Sequence, residues 1–395
     1  MHNQRKWIWR FRALDTLFFR DGTPFNMEET GVAPQGVFPP SIFTLQGAIR
    51  AAMAHFIKQW VPGKEWPKEL GGEYIDTRRL SPEEKRKVWA QPDSLGNLRL
   101  SGPYLQMHGK RYDPVPLVLY GTRERLTRLS PTEKSDESDF LQVKFFLSPD
   151  RHLPDGKWIE NWWIDREGME VILEGGVPEP DSFLCPEDHW KPERRVGIKR
   201  GPNRTAEDHH LYAVTHTRPD RDLEVVVEVS GMEEKWHVPE KFMIPLGGEG
   251  RFAEVTVEEK DAEDDSGFPS IPEEKQFHQD GKGYFTVTLL TPGRYPDMKK
   301  AVNQGPPEIR EHLSSAVCLS AGIGKAVQIG GWNVARTWPR TLMTFLPSGS
   351  TWFYQADPEE LVKLKHLHGV TTGEYQEYGM GQIVIGTWKK RGEAK

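Results

Sequence analysis

The stretch from Trp7 to Trp60 constrains the fold most, because it reads as one strand, one long polar loop and one helix. Residues WIWRFRAL alternate: Trp7, Trp9, Phe11 and Ala13 point one way, and Ile8, Arg10, Arg12 and Leu14 the other. LDTLFFRDGTPF follows, with Asp21-Gly22 as a turn signal. In FPPSIFTLQGAIRAAMAHFIKQW, Pro39 and Pro40 hold the approach extended and Ser41 is the N-cap candidate. Ile42, Leu45, Ile49, Met53, Phe56 and Trp60 recur at helical spacing as one buried stripe, with Gln46, Arg50 and Lys58 off it. A strand feeding a helix that packs back over it needs further strands to complete a sheet.

The chain supplies them twice. LYAVTHT and LEVVVEVSG read as a hairpin around Arg218-Pro219-Asp220-Arg221. VPEKFMIPL reads as a helical turn, GGEGR as a loop and FAEVTVEEK as a strand. From Glu254 to Glu274 nine acids stand against Lys260 alone, a solvated linker. Beyond it, YFTVTLLTP (284–292) is a strand and PPEIREHLSSAVCLSAG (306–322) a helix. VQIGGWN and STWFYQA are strands. DPEELVKLKHLHG is a helix with Asp357 at N-cap, Pro358 at N1 and Gly369 at C′. The loop GEYQEYGMGQ and the strand IVIGTW close the chain.

Both halves then run strand, helix, strand, strand, helix, Gly-rich loop, strand, the split βαβ order. The fold class expected is α+β, as tandem ferredoxin-like (RRM-like, βαββαβ) domains with a large insertion in the first. Residues 1–260 form the first domain, with the insertion at about 61–193 and a basic hairpin at 194–212; residues 261–395 form the second. The insertion is broken by Pro and Gly, with apolar runs at 117–120, 143–147 and 171–173 and a flexible loop at 130–139, and no helical layer of its own. Such a sheet carries two helices on one face and leaves the other open, as in single-stranded RNA readers.

No run approaches the ~20 apolar residues of a membrane span. The first residues, MHNQRKWIWRFR, lack the apolar core of a secretion signal. Cys185 and Cys318 lie far apart in no metal-like spacing, which fits a reduced, cytoplasmic chain without disulfides or a cysteine zinc site. A net charge of −6 argues against a chain coated in positive charge. It leaves room for a local basic groove, because salt limits the reach of distant charges to ~10 Å.

Such a groove has candidates. Arg195, Lys199, Arg200 and Arg204 flank the turn Gly201-Pro202-Asn203 in RRVGIKRGPNRTAEDHHLY, and guanidinium groups fork onto phosphate oxygens. Two Gly-rich loops, LGGEGR (246–251) and EYGMGQ (377–382), each precede a strand. Gly247, Gly248 and Gly250 in the first, and Gly379 and Gly381 in the second, would let backbone amides approach a phosphate. Arg251 would add a charge and Tyr378 a stacking ring. Neither loop has a P-loop or dinucleotide ending. In GGWNVARTWPR, Trp332, Arg336 and Arg340 suit base stacking with phosphate pairing, although core packing explains a tryptophan equally well.

Catalytic constellations are weak. His209 and His210 are adjacent, His366 and His368 close a helix, and Asp15 and Asp21 flank a turn. There is no G-x-S-x-G and no H-E-x-x-H. His55, His210 and His216 remain as lone candidates for a general base.

LDTLFFRDGTPF, FPPSIFTLQGAIRAAM, VGIKRGPNRTAEDHHLY, PLGGEGR and YGMGQ, in this order, resemble a RAMP-superfamily subunit of type III-B CRISPR (Cmr) effector complexes, the one that caps the foot of the complex. The resemblance covers both ends and the middle of the chain but not 61–193. It implies tandem ferredoxin-like domains, a grip on the repeat-derived 5′ tag of crRNA, pairing with the large polymerase/cyclase-like subunit, and contact with backbone RAMP subunits. Target RNA would be met only indirectly, and no nuclease activity, metal or cofactor is implied. Arg20 and Arg50 join the hairpin and Gly-loop residues as implied RNA contacts. Trp332, Arg336 and Arg340 rest on residue chemistry alone. Three rival expectations stand beside it. One is a RAMP-type, metal-independent endoribonuclease that processes repeat RNA through a histidine. Another is a structural subunit gripping an acidic partner, and the last a small-molecule binder with Trp-lined pockets.

Overall fold

The computed structural model describes residues 5–20, 36–61, 64–71, 81, 83–84, 94–132, 143–200, 206–233, 235–261, 267–333 and 338–390. It is a sheet-rich α+β protein with few helices. The chain divides into two compact units, both discontinuous in sequence. Unit 1 takes Met1–His108, Glu187–Asp264 and Gln328–Met343; unit 2 takes Gly109–Pro186, Asp265–Val327 and Thr344–Lys395. Most of the expected insertion therefore folds with unit 2, and the division does not fall at 260/261.

In unit 1, β1 (Lys6–Ala13) leads to α1 (Ile42–Lys58), then β2 (Arg99–Met107). The hairpin strands β3 (Trp190–Arg200) and β4 (Ala206–Pro219) follow, then β5 (Leu223–Ser230), β6 (Lys241–Pro245) and β7 (Phe252–Lys260). The sheet order is β6-β7-β1-β5-β2, antiparallel throughout. On one face Trp9 lies opposite Val227 and Val257, and Phe11 opposite Val225 and Val255. Edge-to-face contacts run from Trp9 to Phe242 (5.8 Å) and from Phe242 to Phe56 of α1 (4.9 Å). Along α1 the residues Ile42, Leu45, Ile49 and Met53 are buried as the spacing predicts. The opposite sheet face is not an open platform. Arg10 pairs with Glu258 at 2.8 Å and Arg12 with Glu254, while Ile8 clusters with Tyr104 and Val226.

In unit 2, β8 (Lys282–Leu289) is followed by α2 (Met298–Gln304), α3 (Pro307–His312), β9 (Val317–Gly322), β10 (Thr351–Ala356) and β11 (Ile383–Thr387). The order is β11-β8-β10-β9, again antiparallel. Both faces of this sheet are covered. Phe285, Val287, Trp352 and Tyr354 pack with Ala301, Ile309 and Leu364 on the helical side. Tyr284, Phe353 and Val384 pack on the other side with Val118, Leu119, Ile164 and Met169. Residues expected to decorate the first domain thus bury the face expected to stay free. Arg128 fastens this cover, donating to the carbonyls of Ile172 (2.9 Å) and Gly176 (3.2 Å) and, on β11, of Thr387 (3.3 Å).

Several local expectations are corrected. β4 and β5 do not pair with each other: β4 pairs with β3, while β5 lies between β1 and β2. VPEKFMIPL supplies an edge strand, β6, not a helical turn, because β7 offers its backbone and Ile244 is buried. The helix expected over 306–322 ends at His312, and 317–322 is strand β9, where pairing with β10 overrides local helical preference. Residues 358–366 are 3₁₀, and Asp357 makes no side-chain cap; its carboxylate instead accepts from Lys282 Nζ at 2.8 Å. In the insertion, Arg166–Leu173 is a helix capped by Asp165, and 126–132 is a strand. The Asp21-Gly22 turn and most of the 130–139 loop lie outside the described residues.

Candidate nucleic-acid interface

Three elements of unit 1 converge just beyond β1. Leu17 pairs with Thr217 of β4 through two backbone hydrogen bonds of 2.8 Å. The Phe18 carbonyl accepts the Gly248 amide at 2.9 Å. Asp15 therefore sits between the base of the hairpin and the first Gly-rich loop. Its Oδ1 accepts from Arg218 at 2.8 Å, and its Oδ2 from Arg195 at 3.1 Å and Arg251 at 3.2 Å. Glu193 takes the remaining reach of Arg195 and Arg218, each at 2.7 Å. Three guanidinium groups thus share two carboxylates.

The electrostatics follow from this geometry. Burial works against the Asp15 anion, but hydrogen bonds from Arg218 and Arg195 outweigh it and hold the carboxyl below its ordinary range. Glu193 is held low by hydrogen bonds from Arg218 and then Arg195. Beside them His216 is buried, with Nδ1 2.9 Å from Thr16 Oγ1 and its ring stacked on Phe18 at 5.3 Å. Desolvation, then the fields of Arg251 and Arg195, push its pKa down. A shallow depression of about 390 Å³, lined by Leu14, Asp15, Met243, Gly250, Arg251 and Phe252, opens beside the cluster.

The expected contact residues separate into groups. Arg195 and Arg251 meet, as above. Gly247, Gly248 and Gly250 lie in an exposed loop, where positive φ at Gly247 (81°) and Gly250 (63°) makes the tight return. Lys199 and Arg200 are on β3, which with β4 forms the expected hairpin, longer than 194–212; nothing is described of their side chains. Arg20 is exposed, its backbone bridged to Gly36. Arg340 lies over the Phe43 ring at 5.9 Å, and Trp332 is in a two-residue strand. Arg204 and Arg336 lie outside the described residues.

Three expectations are corrected. Arg50 does not face outward: it is buried, donating to the carbonyls of Leu70 (2.9 Å) and Gly71 (2.6 Å) and to Gln46 Oε1 (3.1 Å). Tyr378 is fully buried and cannot stack on a base. The second Gly-rich loop is also inside, and its amides are spent: Gly379 on Gln376 O (2.9 Å), Gly381 on Pro292 O (3.0 Å). The two loops matched in sequence position but not in exposure.

Sequence reasoning passed over Asp15, Glu193 and Arg218 as site residues. The i, i+2 spacing of Glu193 and Arg195 places both on one face of a strand, a visible signal. Nothing in the sequence brings Asp15 to them. Among the described residues no group of three or more His, Cys, Asp or Glu could hold a metal, and no helix is long and apolar enough to cross a membrane. His55 is exposed, with Nδ1 3.3 Å from Trp60 O.

The class these features define is an α+β protein with two split antiparallel sheets and a basic hairpin bonded to the segment that follows an interior strand of one. The family model for CRISPR-associated protein (Cas_Cmr3) matches residues 9–388, and the chain belongs to this family of Cmr-complex subunits. No curated protein matches. Among solved structures, a chain of the type III-B Cmr-beta bound to cognate target RNA and AMPPnP is similar at 15% identity and TM-score 0.45, over 88% of this chain and 86% of that one. A chain of the Csm3-Csm4 subcomplex of the type III-A interference complex is similar at 12% identity and TM-score 0.31, over 98% and 100%.

Proposed function

We propose that this subunit of a type III CRISPR effector complex is a non-catalytic RNA binder that holds the 5′ tag of crRNA and docks the large polymerase/cyclase-like subunit beside the backbone RAMP subunits, in the cytoplasm. The tandem ferredoxin-like reading is part of this proposal. Taking only the core strands in chain order, each unit's sheet runs fourth, first, third, second, as that fold requires. In unit 1 an edge strand, β6, replaces the second helix.

The observation that carries the proposal is the meeting of Arg195 and Arg251. One comes from the basic hairpin and the other from the exposed Gly-rich loop, and both converge on Asp15. Guanidinium groups brought together from a hairpin strand and a loop suit a single strand's phosphates, with affinity falling steeply in salt. The burial of His216, whose Nδ1 is engaged by Thr16, supports the non-catalytic reading over a histidine ribonuclease.

The test is binding of RNA carrying the repeat-derived 5′ tag, against a scrambled control, to the wild type and to a Lys199→Ala/Arg200→Ala/Arg204→Ala variant. Preference for the tag, lost in the variant with the melting temperature unchanged, is expected. Equal binding of both RNAs by both proteins overturns the proposal. A discrete cleavage product from repeat RNA in chelator overturns the non-catalytic part.

A further inference from the structure

We propose that Arg195, Arg218 and Arg251 form a phosphate site whose place is held, in the free subunit, by the carboxylate of Asp15 with Glu193 behind it, and that RNA enters by displacing Asp15. The proposal rests on the reading of the subunit as an RNA binder. It adds a site at the hairpin base, made of residues other than Lys199, Arg200 and Arg204, and a mode of regulation.

The geometry is that of an occupied anion site. Donors from three separate segments surround two carboxylate oxygens at 2.8, 3.1 and 3.2 Å, distances at which a phosphate oxygen takes the same donors. A phosphate offers more acceptor positions than the carboxylate it replaces. Arg251 has a donor to spare: its Nε is buried without a hydrogen-bond partner among the described residues. The cluster is also reachable, since the side chains of Asp15 and Arg218 are 47% and 48% exposed. Ion pairs this open to water are weak, so exchange for a doubly bonded phosphate is favourable. Asp15 is free to leave without breaking the fold. It follows the end of β1, and its neighbours are held by backbone bonds instead: Leu14 to Phe252, Leu17 to Thr217.

Charge counting gives a signature. With Asp15 and Glu193 in place, three cations are offset by two anions. Salt also weakens the Asp15 ion pairs that RNA must break, which offsets part of the affinity that salt takes from the RNA contacts. Asp15→Asn removes that offset. Affinity of the full-length chain for a short single-stranded RNA bearing the repeat-derived 5′ sequence, followed by fluorescence anisotropy, should then rise roughly three- to five-fold. The slope of log K against log salt should steepen, by no more than the ~0.7 that one phosphate contact on a single strand contributes. Arg218→Gln should do the reverse, lowering affinity and flattening the slope.

Unchanged or weaker binding by Asp15→Asn at an unaltered melting temperature overturns the proposal: the carboxylate would then be a strut. Should Asp15→Asn destabilise the chain, Arg218→Gln decides, loss of affinity supporting the site and unchanged affinity overturning it. Loss of binding in the Lys199/Arg200/Arg204 variant, with both other variants silent, sinks this proposal and leaves the RNA-binding reading standing. Failure of the wild type to bind the RNA sinks both.

Discussion

Gly247 stands so close to Phe18 that a Cβ added to it would meet the Phe18 carbonyl oxygen at 2.5 Å. The first Gly-rich loop is thus seated on the segment that carries Asp15, with the Gly248 amide bonded to that same oxygen. Because φ at Gly247 is 81°, Gly247→Ala should cost about 1–2 kcal/mol from backbone conformation alone, and more from the contact. Thermal melting of the variant should show the loss, accompanied by weaker RNA binding as Arg251 loses its seat.

Gly250 and Gly381 provide a contrast. A Cβ at Gly250 meets open space, whereas one at Gly381 would lie 2.0 Å from the Thr372 carbonyl oxygen. Gly381→Ala should therefore destabilise unit 2 far more than Gly250→Ala destabilises unit 1. Any change in RNA affinity per unit of lost stability should be larger for Gly250→Ala. The reverse ranking would mean that the buried loop, not the exposed one, faces the ligand.

Arg50→Ala should behave as a core substitution. It would take a donor from the carbonyl of Leu70, from that of Gly71, which keeps Trp66 Nε1 at 3.0 Å, and from Gln46 Oε1, costing about 3 kcal/mol. Arg50→Lys should recover little, because an ammonium cannot reproduce the forked geometry. Chemical denaturation measures both. A stable Arg50→Ala protein with impaired RNA binding would restore the outward role that the sequence suggested.

Two histidines should make stability depend on pH. His368 accepts the Ile385 amide on Nδ1 at 3.1 Å and bonds Pro269 O through Nε2 at 2.8 Å, an arrangement that fits the neutral ring. Desolvation holds its pKa below the ordinary 6.5, as it does for His216. A depressed histidine pKa means the unfolded chain binds the extra proton more readily. The stabilisation is full above pH 6.5 and is lost as pH falls through the folded-state values. Melting temperature should drop over that window, and His368→Gln should flatten the drop. Glu360 acts lower: Ser315's hydroxyl, then its amide, hold it at about 2, so its contribution fades as pH falls from the ordinary carboxylate range towards that value.

How far the sequence could be read depended on the range of the forces involved. Alternation in 7–13 and 3.6-residue spacing in 42–53 are local, and both elements formed as read. The pairing of β3 with β4 agrees with a turn at Gly201-Pro202-Asn203 flanked by cations, again a local signal. VPEKFMIPL and AVCLSAG misled because their partners, β7 and β10, decide their state. Asp357 looked like a cap until Lys282, distant in sequence, claimed its carboxylate.

By itself the sequence determined the strand and helix periodicities, the positive segment against an acidic background, and the motifs by which the family is recognised, since each is written in neighbouring residues. Only the tertiary structure decided which glycine loop faces water, which arginines are inside, and that Asp15 gathers three of them. Burial and ion pairing are settled by where the chain returns in space, and residues 15, 195, 218 and 251 share no local signal that would bring them together.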